Sequence, residues 1–266
     1  MAKHIIVPLD GSERAERALP VAISIAAESG AQLVFVCAAH AAELTDPQGY
    51  LESVAFAWGV PEAEPLVIFD RPAAAAVQYA AADHADPLIC MTTRGRGAVT
   101  AAVMGSVASA VIADVACPVI VCGARQEDVS WVPGPIVAGV DGVNPPGRML
   151  GAAGALALDL DAPLWLVQVV AASAVTRETD GTLVESAYLE RQARPLAAAG
   201  LEVAWDVLHA TDPADALIDF ARSHDAHLIA VASRARTGFG GLVVGSVAQH
   251  LIRDAPLPVL ITHAGD

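Results

Sequence analysis

The chain has 266 residues, 55% of them apolar, and 15 Lys and Arg stand against 30 Asp and Glu for a net charge of −15. A nucleic-acid binder needs a basic face to meet phosphates, and a polybasic membrane patch needs the same charge, so the balance argues against both. Polar residues interrupt the apolar content before any run reaches the ~18 residues that would cross a bilayer. The charge is shared evenly, with 7 basic and 15 acidic residues in 1–130 and 8 and 15 in 131–266, which reads as ordinary solubilising surface.

In chain order, Ile5–Leu9 is a continuous apolar run of the kind that suits a strand buried on both faces. Ser12–Ser29 has helical spacing of Ala15, Leu19, Ala22 and Ala26, an Asp-Gly-Ser entry that can cap it, and Gly30 to close it. Leu33–Ala38, Glu64–Phe69, Leu88–Thr92 and Pro118–Cys122 read as further strands, separated by helices around Glu43–Trp58, Pro72–His84 and Met104–Asp114. The pattern then starts again after Gln126–Pro135, which reads as a linker. Its strands are Ile136–Val140, Leu164–Val170, Val203–Leu208, Leu228–Ala232 and Val259–Thr262; its helices are Met149–Leu160, Ser186–Ala199, Pro213–His224 and Val247–Asp254. Strand alternating with helix implies an α/β fold with right-handed crossovers and a parallel sheet covered on both faces.

The second half repeats the first. At an offset of 140, fourteen of the forty columns between 84–123 and 224–263 are identical without a gap, among them Gly105/Gly245, Ser106/Ser246 and Pro118/Pro258. Ile5–Gly11 lies over Ile136–Gly142 at an offset of 131. Two repeats of this length are two domains, 1–126 and 134–266. Cys37, Cys90, Cys117 and Cys122 sit in or beside apolar segments without the spacing of a disulfide framework or a zinc site, so they read as buried thiols. With the chain running straight into a strand-like segment, this points to the reducing cytoplasm.

In an open parallel sheet, ligands bind beyond the carboxyl ends of the strands. Three features of the first copy meet there: Asp10-Gly11-Ser12 leaving strand one, Thr92–Gly97 leaving strand four, and Gly105-Ser106 opening the next helix. Glycines let backbone amides approach a phosphate, and a helix N-terminus offers unpaired N–H groups. Asp10 is placed to accept from a ribose or base. Each feature also has a plain alternative, Gly95 and Gly97 as a turn, Gly105-Ser106 and Asp10 as helix caps. His84 and His224 each fall at a helix end and read as C-terminal caps. Gly147, Gly151 and Gly154 have helical spacing and suggest close packing of a helix on the sheet. No catalytic or metal-ligating set stands out.

These motifs resemble the universal stress protein family. The first strand ends Val7-Pro8-Leu9-Asp10-Gly11-Ser12, and the loop reads Thr92-x-x-Gly95-x(9)-Gly105-Ser106, followed by Cys117-Pro118-Val119. The resemblance covers both copies and implies two tandem open parallel five-stranded sheets of order 3-2-1-4-5 with helices on both faces. It implies ATP as ligand, with or without Mg2+, in a stress-response regulator that commonly dimerises through fifth strands. Carried over by position, Asp10 lies near ribose and adenine, Ala38 touches adenine, and Gly95, Gly105, Ser106 and Val107 face the phosphates. In the second copy Asp141, Gly245, Ser246 and Val247 remain. Thr92 replaces the first loop glycine, and Ala232 and Ala235 replace both loop glycines of the second copy. Arg94 and Arg96, repeated at Arg234 and Arg236, could clamp phosphates or face solvent.

Three functions compete: a nucleotide-binding regulator, an interaction scaffold that has lost nucleotide binding, and an enzyme that hydrolyses ATP slowly. The last needs a general base that the sequence does not identify, so the chain reads as a binder. The two fifth strands, as apolar edges, are expected to cover each other within the chain, leaving a homodimer to form through another face.

Overall fold

The computed structural model of the chain describes residues 2–39, 44–93, 104–126, 130–142, 147–171, 181–233 and 244–263. The first copy runs β1 (His4–Pro8), α1 (Glu13–Glu16), α2 (Leu19–Ser29), β2 (Gln32–Ala38), α3 (Pro47–Ala57), β3 (Glu64–Ile68), α4 (Ala73–Asp83), β4 (Pro87–Thr92), α5 (Ser106–Asp114) and β5 (Val119–Cys122). The second runs β6 (Ile136–Val140), α6 (Gly147–Asp159), β7 (Leu164–Ala171), α7 (Gly181–Ala198), β8 (Val203–Ala210), α8 (Pro213–Ser223), β9 (Leu228–Ser233), α9 (Ser246–Asp254) and β10 (Val259–His263).

Each half has the order third-second-first-fourth-fifth, β3-β2-β1-β4-β5 and β8-β7-β6-β9-β10, with all pairings inside a half parallel. The two sheets do not remain separate. β5 and β10 pair antiparallel, so the described strands form one ten-stranded sheet. Ile120 faces Leu260, its own counterpart in the repeat, while Val119 faces Ile261 and Val121 faces Val259. That register puts a pseudo-two-fold axis through the Ile120–Leu260 pair. Each fifth strand thus covers the other, and the open edges of the sheet are β3 and β8. Self-association through fifth strands is thereby satisfied inside the chain.

Alternate residues of the strands feed two cores, one on each face. Ile5, Val7 and Leu164 enter one, Ile6, Val137 and Val167 the other, and each core holds residues of both halves. Fully burying one such aliphatic side chain stabilises by about 1.5–3 kcal/mol. Cys37, Cys90 and Cys122 are buried and in no disulfide, and Cys117 is partly covered.

The helix expected over 12–29 is broken in two. Pro20 stands at the start of α2, where its missing N–H costs nothing, and its ring would clash with the residue 16 carbonyl of a continuous helix. Of the three spaced glycines, only Gly154 is closely approached. A Cβ there would meet Leu196 of α7 at 2.8 Å, whereas Gly147 and Gly151 face open space. The close contact is therefore between helices and not between helix and sheet.

Candidate functional site

β1 and β4 are neighbours in register, His4 to Pro87 and Ile6 to Ile89, so the segments leaving them share the carboxyl edge of the first half. The turn after β1 is built by its own side chains. Asp10 Oδ1 accepts the Ser12 N–H at 3.0 Å and the Ser12 hydroxyl at 2.5 Å. Ser12 Oγ in turn accepts the Ala15 N–H at 3.2 Å and caps α1. Gly11 makes the turn at φ +80, and Gly142 repeats it in the second half at +71, a region that favours glycine. The cap is thus Ser12, and Asp10 orders the turn that carries it.

Gly105 ties the second element to the same edge, donating its N–H to the Thr93 carbonyl at 2.8 Å. It is the N-cap of α5, with φ −63 and ψ 153, and no side chain caps the helix there. Gly245 has the same conformation before α9, φ −59 and ψ 153, again with no side-chain cap. Among the described residues, the first-turn amides of both helices, from Ser106 and Val107 and from Ser246 and Val247, are therefore not answered by a capping side chain. Such amides with the helix dipole behind them attract an anion.

Thr92 is the last residue of β4 and Ala232 lies in β9, paired to Cys122 and Thr262 respectively. Neither has a positive φ, so the glycine-to-Thr and glycine-to-Ala replacements sit in extended backbone without strain. Ala38 ends β2 and is buried. Asp141 follows β6 as Asp10 follows β1. Arg94, Gly95, Arg96, Arg234, Ala235 and Arg236 lie outside the described residues.

A tyrosine that the sequence reading passed over leans on the first-strand turn in each half. Tyr50 on α3 donates its hydroxyl to Glu16 at 3.0 Å, with the Gly11 backbone beside it. Burial, then Glu16, holds its hydroxyl proton well above the ordinary tyrosine range. Tyr188 on α7 lies within the field of Asp141 and is also pushed up, first by burial and then by that carboxylate. The signal was present, since Tyr50-Leu51-Glu52 recurs as Tyr188-Leu189-Glu190. Both leucines are fully buried.

The halves differ beside that turn. In the second, Gln168 packs against Gly142 closely enough that a Cβ on the glycine would strike its amide nitrogen. Its Oε1 is buried and has no partner among the described residues. Cys37 holds the corresponding place in the first half. His84 and His224 do cap their helices, reaching the Ala80 and Phe220 carbonyls at 2.7 and 2.9 Å. His250 on α9 reaches Asp212 at 3.4 Å and Asp215 at 3.2 Å, joining α9 to the start of α8.

The family model described as "Universal stress protein family" matches residues 1–123 and 134–263. The chain belongs to the universal stress protein family. A universal stress protein of Thermus aquaticus, named for its position 3′ of a QAH/OAS sulfhydrylase, is 36% identical over 140 residues, 46% of this chain and 98% of that protein. Two solved structures resemble the whole fold. A putative universal stress protein from Pseudomonas aeruginosa has a TM-score of 0.70 at 18% identity, over 98% of this chain and 93% of its own. One from Archaeoglobus fulgidus has a TM-score of 0.69 at 17% identity, over the full length of both. The tandem architecture is therefore shared by other universal stress proteins. Among the described residues no helix is long and apolar enough to cross a membrane.

Proposed function

We propose that this universal stress protein binds ATP at the carboxyl edge of its first half and works by occupancy and not by turnover. The observation that carries the reading is the start of α5. Gly105 positions the helix through Thr93, and among the described residues no side chain caps the amides of its first turn. Phosphates at that point gain the helix dipole and close backbone donors at once. The Asp10 turn is on the adjacent strand, where a carboxylate accepts ribose or base hydroxyls and amines. Arg94 and Gly95 complete the phosphate loop in this reading, and Mg2+ accompanies the polyphosphate.

The second half is proposed as the weaker site. It has lost both loop glycines to Ala232 and Ala235, and Gln168 crowds its first turn. With nucleotide bound, the first half presents a different surface to partners, and a homodimer forms through a face other than the fifth strands. Native mass spectrometry of the purified chain titrated with ATP tests the reading. One ATP per chain at low excess is expected, and a chain that stays unliganded at all ATP concentrations favours the scaffold reading instead.

A further inference from the structure

At the amino end of β9, the linker residue Trp131 is buried, 7% exposed, between the two halves. Its indole N–H donates to the His227 carbonyl at 3.0 Å, and its own carbonyl accepts the Ser24 hydroxyl at 2.7 Å. Both anchors have counterparts across the pseudo-two-fold axis. An offset of 131 carries Ser24 to Ala155, Ile25 to Leu156 and Glu28 to Asp159. An offset of 140 carries His227 to Pro87, Leu257 to Cys117 and Pro258 to Pro118. The counterparts of the two anchors, Ala155 and Pro87, line one cavity of about 310 Å³ together with Leu156, Asp159, Cys117 and Pro118. None of the residues lining it is aromatic, whereas Trp131 occupies the equivalent place beside Ser24 and His227.

We propose that this cavity binds a small neutral heteroaromatic molecule of indole size, whose ring N–H reaches the Pro87 carbonyl as Trp131 reaches that of His227. The volume is at the lower end of known ligand pockets, ~300–1,000 Å³. Leu156, Ala155 and Pro118 give an apolar lining, and Cys117 adds a polarizable sulfur of the sort that packs well on aromatic rings. Asp159 and Asp86 at the same cavity disfavour an anionic ligand. The site is at the amino ends of β4 and β5, the end of the sheet away from the first half's carboxyl edge where ATP is proposed to bind, and it does not rest on that binding.

Indole itself is the probe, titrated calorimetrically into the full chain. One indole per chain is expected, undisturbed by excess ATP. Ala155→Phe, which projects a ring into the cavity from α6, should weaken binding at least tenfold with the circular dichroism unchanged. Trp131→Ala opens the twin and should raise the stoichiometry to two. In the unaltered chain, indole should slow maleimide labelling of Cys117, the one partly exposed cysteine. This readout stands even if a variant fails to fold. No saturable binding to the unaltered chain, displacement by ATP, or unchanged Cys117 labelling at saturating indole overturns the proposal.

Discussion

In the proposed reading one carboxylate, Asp10, serves two roles. One oxygen orders the Gly11 turn through Ser12, so replacing the side chain disturbs the turn as well as any ligand contact. Asp10→Ala should therefore weaken ATP binding by about 1–3 kcal/mol, the cost of losing a hydrogen bond to a charged acceptor. Asp10→Asn, which can still accept from Ser12, should lose less, and titration calorimetry on both separates the roles. Equal affinity in Asp10→Ala and wild type would remove Asp10 from the site. Tyr50 makes a pH-dependent contribution. Burial and Glu16 raise its proton loss above the ordinary value of 10.0, so the folded chain keeps a proton that the unfolded chain releases. Its stabilisation is full below pH 10.0 and declines as pH rises further. Tyr50→Phe should flatten that alkaline decline in urea midpoints, and an unchanged slope would contradict the assignment. The turn and the Gly-Ser helix starts were legible because residue type alone dictates them. The tyrosines were not, because they act through a helix of 11 residues in one half and 18 in the other, which shifts their offset to 138.

At the scale of elements, the alternation of strand and helix made parallel pairing readable and the family resemblance supplied the strand order, and each segment read as a strand is one. What it did not give was the break between α1 and α2, set by the single ring of Pro20, or the role of Trp131. That residue bonds through its indole to a residue 96 positions away and through its carbonyl to one 107 positions away, which no local pattern can reveal. The β5–β10 ladder was foreseeable from the exposed apolar edges that each half would otherwise carry. It also supplies a test. Leu260 is paired on both sides, to Ile120 and Ala230, and a proline there removes a ladder N–H and crowds the neighbouring strand. Leu260→Pro should destabilise by about 1–3 kcal/mol or more for each buried group left unpaired, and the freed β5 edge should self-associate. Light scattering checks this. A variant with unchanged mass distribution and unchanged stability would mean that the ladder contributes little.

The whole molecule is one sheet with two cores that each cross the midline. Denaturant unfolding should therefore proceed in a single transition, with probes in the two halves superimposing. Two separated transitions would show that the halves are independent beads. The same architecture sets two similar anion-directed helix starts in one chain, only one of which retains its loop glycine Gly95. Titration calorimetry of ATP into wild type, Gly105→Val and Gly245→Val compares them directly. The account predicts one dominant site, lost in Gly105→Val because the side chain takes phosphate space, and largely kept in Gly245→Val. Equal losses in the two variants would contradict the asymmetry, and wild-type binding in Gly105→Val would place the nucleotide elsewhere.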